Sequence, residues 1–503
     1  MHTPILGSTY VARSVNAADA RMVNLFPEIV PEAGKEPAFL QRAPGLNLQA
    51  TVGTGPIRGL WAFSSDDTAS YVVSGTELYK MNDSFVATKI GNVSGTGPVS
   101  MADNGTQLFI ACNGPSYIYN SVTLAFGQIT DPDFPGAVTV CYLDGYFVFN
   151  EPNSQKMWVT ALLDGTSIDP LEFASTEGSP DGLLAVAANF REVWAFGTNS
   201  IEVWYDSGAT DFPLQRIQGA FNELGLAAPY SVAKMDNGLF WLGRDRRGQG
   251  VVYRANGYTG QRISTHAVEW QIQQYGNLSD AIGYTYQQDG HSFYVLIFPT
   301  ANTTWVYDAA TQAWHERAGY VDGEFVRHRS NCQMAFNNLI VVGDYQNGNI
   351  YNFSLDVYAD NSDIQKWLRS WRALPTGQNN LKRTAHHSLQ LDCQSGVGGD
   401  LYSGALLLEN GYKLLTESGD VIALDAPITD ANVSLRWSDD GGHTWSSDHV
   451  ATMGQIGQYG KRVIWRRLGM TMKLRDRVYE LSGTDPVKIA IMGAELLISP
   501  TNA

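Results

Sequence analysis

Short apolar segments separated by polar turns recur along most of the chain. An apolar strand, a turn such as Asp103-Asn104-Gly105 or Asp289-Gly290, and a second apolar strand form a unit that occurs seven times. The turns supply residues that tolerate positive φ, as tight hairpins require. The units begin at positions 59, 99, 137, 184, 229, 281 and 329. A spacing of about 45 residues with three or four strands in each unit is typical of β-propeller blades.

The seventh unit is short and has room for three strands only. We expect a strand from before Trp61 to complete it by pairing across the point where the ring closes. The pattern therefore indicates seven blades and leaves six blades as an alternative. The segment VYDAATQAW at 306–314 also resembles the strand-turn-strand of kelch blades, which favours a propeller and indicates no chemistry.

The repeat is flanked by regions with other patterns. We predict an extended N-terminal arm at 1–50, a β-propeller at 51–358, a helical linker at 359–382 and a C-terminal β-rich domain at 383–503. The C-terminal domain is smaller than the propeller and is expected to be sandwich-like, because its apolar segments have the length of strands. The predicted fold class is therefore all-β.

The linker contains the best helical pattern in the chain. Within 361–372, apolar residues recur at helical spacing on one face, namely Ile364, Trp367, Leu368 and Trp371. Pro375 sets the end of this predicted helix, because proline cannot continue a helical hydrogen-bond ladder.

Composition and charge narrow the class of protein. The chain has 503 residues, 50 of them glycine, and 11% of them are aromatic, which suits an all-β protein rich in turns. The net charge of −16 repels polyanions at long range, so the surface as a whole is not a DNA-binding one. One interpretation of this charge is a channel wall that does not bind phosphate and so lets DNA pass. The simpler interpretation is that the acidity keeps the protein soluble. No apolar run is long enough for a membrane-spanning helix.

The sharpest local motif is an Asp-box at 438–445. It matches the pattern S-x-D-x-G-x-T-W through Ser438, Asp440, Gly442, Thr444 and Trp445. We interpret it as a structural hairpin turn, in which Asp440 accepts hydrogen bonds from turn N–H groups and Trp445 packs the turn onto the sheet. Asp-boxes occur in sialidases, but away from the active site.

No motif for catalysis, cofactor binding or metal binding stands out. A glycosidase needs two carboxylates at a fixed separation, and no such pair is evident; serine-hydrolase, zinc-protease and P-loop motifs are absent from the sequence. His386 and His387 are neighbours in a predicted strand, so they point to opposite faces and do not share a metal. We predict that the chain is not an enzyme and has no cofactor.

A cationic segment interrupts the acidic chain near its C-terminal end. Seven cations occur within 17 residues, namely Lys461, Arg462, Arg466, Arg467, Lys473, Arg475 and Arg477. They indicate contact with phosphate, docking to an acidic partner surface, or solvated strand faces that balance nearby acids. We predict that the segment lies at an interface with another subunit or an adaptor and not at DNA, because acidic protomers packed together repel one another.

Several motifs resemble one known family. They are VNLFP at 23–27, APGL at 43–46, SPDGLL at 179–184, FGTNSIE at 196–202 and GKRVIWRRLG at 460–469. Together they resemble the tail hub, or nozzle, proteins of short-tailed bacteriophages, which are also called packaged-DNA stabilisation proteins. The resemblance spans nearly the whole chain, and none of its motifs is catalytic.

The resemblance implies a structural protein of the virion tail. It implies a hexameric ring of this chain below the portal and adaptor rings, which continues the DNA channel, helps to retain packaged DNA, carries fibres or spikes and is closed by a needle or plug. Assembly would take place in the host cytoplasm, and DNA would pass without sequence-specific binding. The alternative function is a carbohydrate-active or carbohydrate-binding propeller of the sialidase type, with arginines such as Arg191 and those of the 244–247 loop as ligands for a sugar carboxylate.

Overall fold

A computed structural model describes residues 1–14, 18–30, 34–176, 178–209, 212–375, 383–397, 430–471 and 477–500. The chain forms two compact units. One consists of Met1–Gly45, Gly319–Glu324 and Ser354–Ala503, and the other of Leu46–Ala318 and Phe325–Phe353.

The strands of the N-terminal region are short. They are β1 (Tyr10–Val11), β2 (Asp19–Ala20), β3 (Met22–Val23), β4 (Leu25–Ile29), β5 (Ala38–Arg42) and β6 (Gly45–Thr51). The structure places β4 and β5 in a sheet with strands from the other end of the chain, which differs from the expected separate arm at 1–50. The reason is burial: Leu25 and Leu40 are fully enclosed in the core of that unit.

The next strands form the first four blades of a propeller, each an antiparallel sheet whose strands follow one another in sequence. Blades one and two contain β7 (Ile57–Ala62), β8 (Ala69–Ser74), β9 (Glu77–Asn82) and β10 (Ala87–Asn92), then β11 (Ser100–Asp103), β12 (Gln107–Ala111), β13 (Ser116–Asn120) and β14 (Phe126–Gln128). Blades three and four contain β15 (Val140–Leu143), β16 (Tyr146–Asn150), β17 (Lys156–Val159) and β18 (Phe173–Ser175), then β19 (Leu183–Asn189), β20 (Glu192–Gly197), β21 (Ile201–Asp206) and β22 (Leu214–Asn222).

The strands of blades six and seven also follow one another in sequence, whereas blade five departs from this order. Blade five contains β23 (Gly225–Leu226), β24 (Ala233–Met235), β25 (Gly238–Arg244), β26 (Gln249–Asn256) and β27 (Thr259–Arg262), and in it β23 and β24 both pair with β25. Blade six contains β28 (Ile282–Gln288), β29 (His291–Phe298), β30 (Thr303–Asp308) and β31 (Ala313–Glu316), and the short strands β32 (Ala318–Val321) and β33 (Glu324–Arg327) follow it. Blade seven contains β34 (Ser330–Phe336), β35 (Leu339–Asp344) and β36 (Asn349–Ser354).

Strand β6 completes blade seven from the other end of the propeller. It is hydrogen-bonded to β36, so the seventh sheet has strands from both ends of the repeat. Thr51 Oγ1 donates to Asn349 Oδ1 at 2.8 Å, and the Val52 N–H donates to Gly348 O at 2.7 Å. The all-β prediction is confirmed, and the described residues contain seven blades closed by a strand from before Trp61, as the pattern indicated.

Aromatic side chains fill the spaces between neighbouring blades. Phe109 of blade two stacks on Phe149 of blade three with 5.9 Å between ring centroids, and Trp194 of blade four lies 6.3 Å from Trp241 of blade five. Such pairs prefer offset or tilted geometry and bury a large apolar area for each residue. The ring therefore derives much of its rigidity from contacts between blades.

One helix lies between blades five and six and was not predicted. It is α1 (His266–Gln273), and Thr265 caps its start by accepting a hydrogen bond from the Val268 N–H. Val268 and Ile272, one turn apart, are buried against the neighbouring blades. Its eight residues are too few for the apolar repeat to stand out from strand patterns.

The unit that consists of Met1–Gly45, Gly319–Glu324 and Ser354–Ala503 is a β-sandwich. Its other strands are β37 (Ala359–Asp360), β38 (Asp363–Ile364), β39 (Trp367–Arg372), β40 (Thr384–Cys393), β41 (Ala431–Ser438), β42 (His449–Gly454), β43 (Val463–Met470), β44 (Val478–Gly483) and β45 (Ala490–Pro500). One layer has the order β4-β5-β45-β40-β43, and the other contains β3-β39-β44-β41-β42. Side chains from both layers, such as Leu389 and Leu481, share one apolar core.

The predicted helix at 361–372 is wrong. Residues 367–372 form β39, which pairs with β3 on one side and β44 on the other. Both faces of this strand are covered, and Arg369 is enclosed with its Nε donating to Ile5 O at 2.7 Å. A strand buried on both faces loses its alternation of polar and apolar residues, so its sequence mimics one face of a helix.

Candidate interaction surfaces

The cationic segment of the sandwich is only partly exposed. The exposed cations are Lys461, Arg462, Arg466 and Arg467. They lie in or directly before β43, which is the outermost described strand of its sheet and pairs with β40. None of the four forms an ion pair with another described residue. Lys473 and Arg475 lie outside the described residues, so the structure does not place that part of the predicted surface.

A β-bulge leaves two neighbouring arginines exposed. In a regular strand, Arg466 and Arg467 would point to opposite faces. Here Ser388 of β40 pairs with Arg466, but His386 pairs with Gly469, so β43 has one extra residue. Arg467 adopts the left-handed conformation with φ of 62°. Bulges re-aim side chains in this way, and both guanidinium groups are available to a partner.

Arg477 is buried and has a different role. Its guanidinium donates two hydrogen bonds to the Asp439 carboxylate, at 2.6 and 2.8 Å, and one to Leu468 O at 2.7 Å. Burial opposes the charge of this group, but the hydrogen bonds and charge of Asp439 outweigh it and raise the pKa of Arg477. Since the side chain is enclosed, Arg477 holds the Asp-box turn in place and does not belong to an accessible surface, contrary to our expectation for this residue.

The Asp-box forms the hairpin between β41 and β42. Asp440 accepts hydrogen bonds from the backbone N–H groups of His443 and Thr444, at 3.0 and 2.9 Å, and from Thr444 Oγ1 at 2.6 Å. Ser438 Oγ donates to Asp440 at 2.6 Å and accepts from the Gly442 N–H at 2.8 Å. These bonds, with that of Ser438 the largest, hold the pKa of Asp440 well below its usual range. Every polar group of the motif serves the turn itself.

Trp445 completes the motif by packing against the sheet. The guanidinium of Arg436 lies 4.8 Å from the centroid of the Trp445 ring, and its Nε donates to Glu480 Oε1 at 2.6 Å. The last residue of the box therefore fastens the turn to β41 and, through Arg436, to β44.

The propeller contains a central cavity of about 620 Å³ lined by all seven blades. At about 30 Å³ for each molecule, it has room for about twenty waters. Asp103 is the one carboxylate among the described residues that line it, and this group already accepts a hydrogen bond from Trp61 Nε1 at 2.7 Å. The described lining thus offers neither the carboxylate pair of a glycosidase nor the arginine cluster of a sialidase.

Two polar side chains that line this cavity are held by hydrogen bonds to the backbone. Arg58 of blade one donates to Gly97 O at 2.6 Å and to Gly75 O at 2.9 Å. Tyr230 of blade five reaches to within 3.5 Å of Val138 O, which precedes blade three. Burial raises the pKa of Tyr230 to about 12, with the charge of Arg58 acting in the opposite direction. Arg58 and Tyr230 thus link the inner ends of neighbouring blades around the cavity.

A second group of titratable side chains is buried between blades six and seven. His291 Nδ1 lies 2.8 Å from Asp308 Oδ2, and Arg317 Nη1 donates to Tyr286 Oη at 3.1 Å. Burial, with a contribution from Arg317, lowers the pKa of His315 to about 3. Since these groups are enclosed and bonded to one another, they stabilise the junction between the blades.

The motifs behind the family resemblance in blade four form one interlocked turn. The Asp181 carboxylate accepts from the Ser200 N–H at 3.0 Å, from Ser200 Oγ at 2.9 Å and from the Asn199 N–H at 2.5 Å. The segments at 179–184 and 196–202 are therefore parts of a single structural element.

The neighbouring histidines His386 and His387 have different environments. His386 is buried, with its Nδ1 2.8 Å from Tyr479 Oη, whereas His387 is exposed.

An exposed apolar surface on blades two and three was not predicted. We call it the blade rim, and it consists of Val122, Leu124, Leu162, Leu163 and Leu171, which are between 59% and 78% exposed. Asn104 Nδ2 of blade two donates to Leu163 O of blade three at 3.4 Å, and within blade two the Ser121 N–H donates to Thr106 O at 2.8 Å. The sequence contained one signal for this surface, because Leu162 and Leu163 lie together in a polar turn region. Isolated exposed leucines are common, however, so this signal was not decisive.

In the part of the chain that the structure describes, no three His, Cys, Asp or Glu side chains lie close enough to hold a metal ion. No described helix has the length and apolar character needed to cross a bilayer.

Comparison with known proteins identifies the family. The family described as bacteriophage P22 Gp10, beta-propeller, matches residues 1–358, and the one described as bacteriophage P22 Gp10, beta-sandwich, matches residues 367–499. The chain belongs to the P22 Gp10 family. The tail hub protein gp10 of Salmonella phage P22 is 23% identical over 455 residues, which cover 87% of this chain and 86% of the relative. Proteins of the Gp10 family are structural components of phage tails. This chain is therefore a structural tail protein and not an enzyme.

Solved structures similar to this Gp10-family chain include a lyase and a WD40 domain. Virginiamycin B lyase from Staphylococcus aureus has 10% identity and a TM-score of 0.42, and the match covers 61% of this chain and 98% of the lyase. The Pan2 WD40 domain of Neurospora crassa has 9% identity and a TM-score of 0.39, with 59% and 89% covered.

Proposed function

We propose that this chain is a subunit of a phage tail hub and that copies of it form a ring below the portal and adaptor rings. The observation that carries the proposal is the match of both domains to the P22 Gp10 family, together with a relative named as a tail hub protein that is covered over 86% of its length. A ring of six copies, located in the virion tail after assembly in the host cytoplasm, follows from the family resemblance.

The route for DNA is proposed to lie between the copies. The cavity inside one propeller has a volume of about 620 Å³, and the side chains of Arg58 and Tyr230 are among those that line it. A duplex whose major groove alone is about 12 Å wide cannot enter it. A channel that continues the path of the DNA therefore requires several copies around an axis outside each propeller.

The charge of the chain suits a channel wall that does not hold its contents. A net charge of −16 repels the phosphate backbone, and the field of such a surface extends over about a Debye length, or about 8 Å at physiological salt. DNA would slide past this wall without sequence-specific binding. In this proposal, retention of packaged DNA depends on closure of the ring by a needle or plug, and fibres or spikes bind to its outer surface.

The proposal is tested with purified chain added to isolated portal–adaptor complexes. We expect negative-stain images to show one additional ring, and mass photometry to show an added mass that corresponds to six copies of a 55.1 kDa chain. Added mass of a single copy, or no binding, would overturn the ring. Turnover of a host polysaccharide by the chain alone would instead favour a carbohydrate-active protein.

A further inference from the structure

The blade rim combines exposure with backbone strain. Leu124 and Leu163 have φ of 59° and 60°, the left-handed conformation that is unfavourable for an L-residue. Phe190 of the neighbouring blade has φ of 54° and is also largely exposed. Bulky apolar side chains are rarely held in this conformation at a surface. An outlier of this kind points to a function that requires these side chains to face outward.

The rim lies in the most acidic part of the chain. Residues 91–190 contain one cation, Lys156, and ten acids, which are Asp103, Asp131, Asp133, Asp144, Glu151, Asp164, Asp169, Glu172, Glu177 and Asp181. Exposed Leu171 lies between two of them in sequence, Asp169 and Glu172. Burial and the charge of Asp169 raise the pKa of Glu172, so a cation placed beside this pair would relieve a repulsion.

The edge at β43 has the complementary composition. Residues 451–470 contain four cations and no acid. The four exposed cations there are accompanied by exposed apolar residues, namely Ile456, Tyr459 and Met470. We call this surface the β43 strip. Exposed apolar side chains with acids near them in sequence on one surface, and with exposed cations on the other, suit an interface between two proteins.

We propose that the blade rim of one copy binds the β43 strip of a second copy. The inference rests on the ring proposed above and names the two surfaces that would build it. Leu162, Leu163 and Leu171 would pack against the apolar residues of the strip, while Asp169 and Glu172 face Arg466 and Arg467. Because the two surfaces differ, each copy binds its neighbour head to tail, and such heterologous contacts generate rings when the rotation closes.

Charge reversal on each surface tests this pairing. One variant carries Arg466→Glu and Arg467→Glu, a second carries Asp169→Lys and Glu172→Lys, and a third carries all four changes. Each is added to portal–adaptor complexes, and the number of bound copies is measured by mass photometry. We expect each two-residue variant to need about tenfold or more chain for half-maximal assembly, and the four-residue variant to recover most of the loss.

A mixture of the two defective variants provides a second readout. Each retains one native surface, and its reversed surface complements the reversed surface of the other, so the mixture should assemble with the two variants alternating, whereas each variant alone should not. The control carries Arg244→Glu and Arg247→Glu, the same change of charge in an exposed loop of blade five, and should assemble like the wild type. Circular dichroism confirms that every variant is folded.

The other outcomes separate the possible failures. If the wild type never adds more than one copy, the ring itself is wrong and both proposals fail. If the wild type forms a ring and the two-residue variants do so equally well, only the pairing is wrong. If the four-residue variant does not recover, the strip binds another tail protein. If the arginine variant assembles normally but binds duplex DNA more weakly and with a smaller salt dependence, the strip contacts phosphate instead.

Discussion

Arg477 and the pair Arg466–Arg467 belong to one cationic segment but have opposite environments. Arg477 is enclosed, with a carboxylate and a backbone carbonyl bonded to its guanidinium, whereas a bulge turns Arg466 and Arg467 out to solvent with no ion pair among the described residues. The sandwich depends on the first and tolerates the second. A run of like charges in a sequence can therefore combine a structural residue and a binding surface only ten residues apart.

Removal of the buried arginine should have the largest effect on stability. Arg477→Ala leaves the Asp439 carboxylate without its partner in a largely enclosed site, and we expect a loss of about 3–5 kcal/mol in the free energy of unfolding. Urea unfolding, followed by tryptophan fluorescence, measures this. If Arg477→Met combined with Asp439→Asn costs as much as the sum of the two single changes, the pair does not act as a unit.

The free energy of unfolding should also depend on pH through His386, a buried histidine near Arg477. Burial, followed by the charges of Arg477 and His387, lowers the pKa of His386 to about 3, and the ring bonds to Thr384 and Tyr479. Unfolded histidine has a pKa of about 6.5, so this contribution is fully present above that pH and is lost as the pH falls toward 3.

The expected slope is about 1.4 kcal/mol for each pH unit between 6 and 4. Other buried histidines, such as His315, titrate as well, so the informative quantity is the difference between the wild type and His386→Gln at each pH. Parallel curves for the two proteins would show that His386 is already charged in the folded state.

A smaller effect separates strained from relaxed exposed leucines. Leu163→Gly relieves a left-handed leucine and should raise the free energy of unfolding by about 0.5–1 kcal/mol. Leu162→Gly, at a neighbouring and equally exposed position outside the left-handed region, should lower it by a similar amount. Thermal denaturation of both variants checks the comparison, and equal shifts of the same sign would remove the argument from strain. Both should weaken assembly if the rim is an interface.

The smallest effect is expected at the exposed arginines. Arg466→Ala and Arg467→Ala should change the free energy of unfolding by less than about 0.5 kcal/mol, because no described residue depends on them. The same urea titration used for Arg477 measures this. A loss comparable to that of Arg477→Ala would mean that the bulge itself requires these side chains, and that their exposure is incidental.

Repeats were the part of the fold that the sequence predicted well. Turn residues such as Asp144-Gly145 adopt the positive φ that the hairpins need, and their spacing is independent of any long-range contact. The strand at 367–372 was misread because its neighbours on both sides, β3 and β44, come from distant parts of the chain. Local periodicity cannot report such neighbours.

The candidate surfaces were predicted less completely. The cationic segment was visible as a cluster of charges, but whether Arg477 is buried depends on Asp439, which lies in the turn after β41. The bulge at Arg467 depends on the register between β40 and β43. The blade rim was missed because exposure of Leu163 is set by the turn that holds it, and apolar residues are usually read as core.

Closure of the propeller by β6 makes the order of synthesis important. A ribosome adds about 5–20 residues per second, so β6 emerges and waits for on the order of ten seconds or more before β36 exists to receive it. During this interval blade seven is absent and the apolar faces of blades one and six are uncovered. A nascent chain in this state could exchange strands with a neighbouring chain on the same message. The propeller therefore closes only after its last blade has been synthesised, and a chain that ends before β36 would leave β6 without its partner strand.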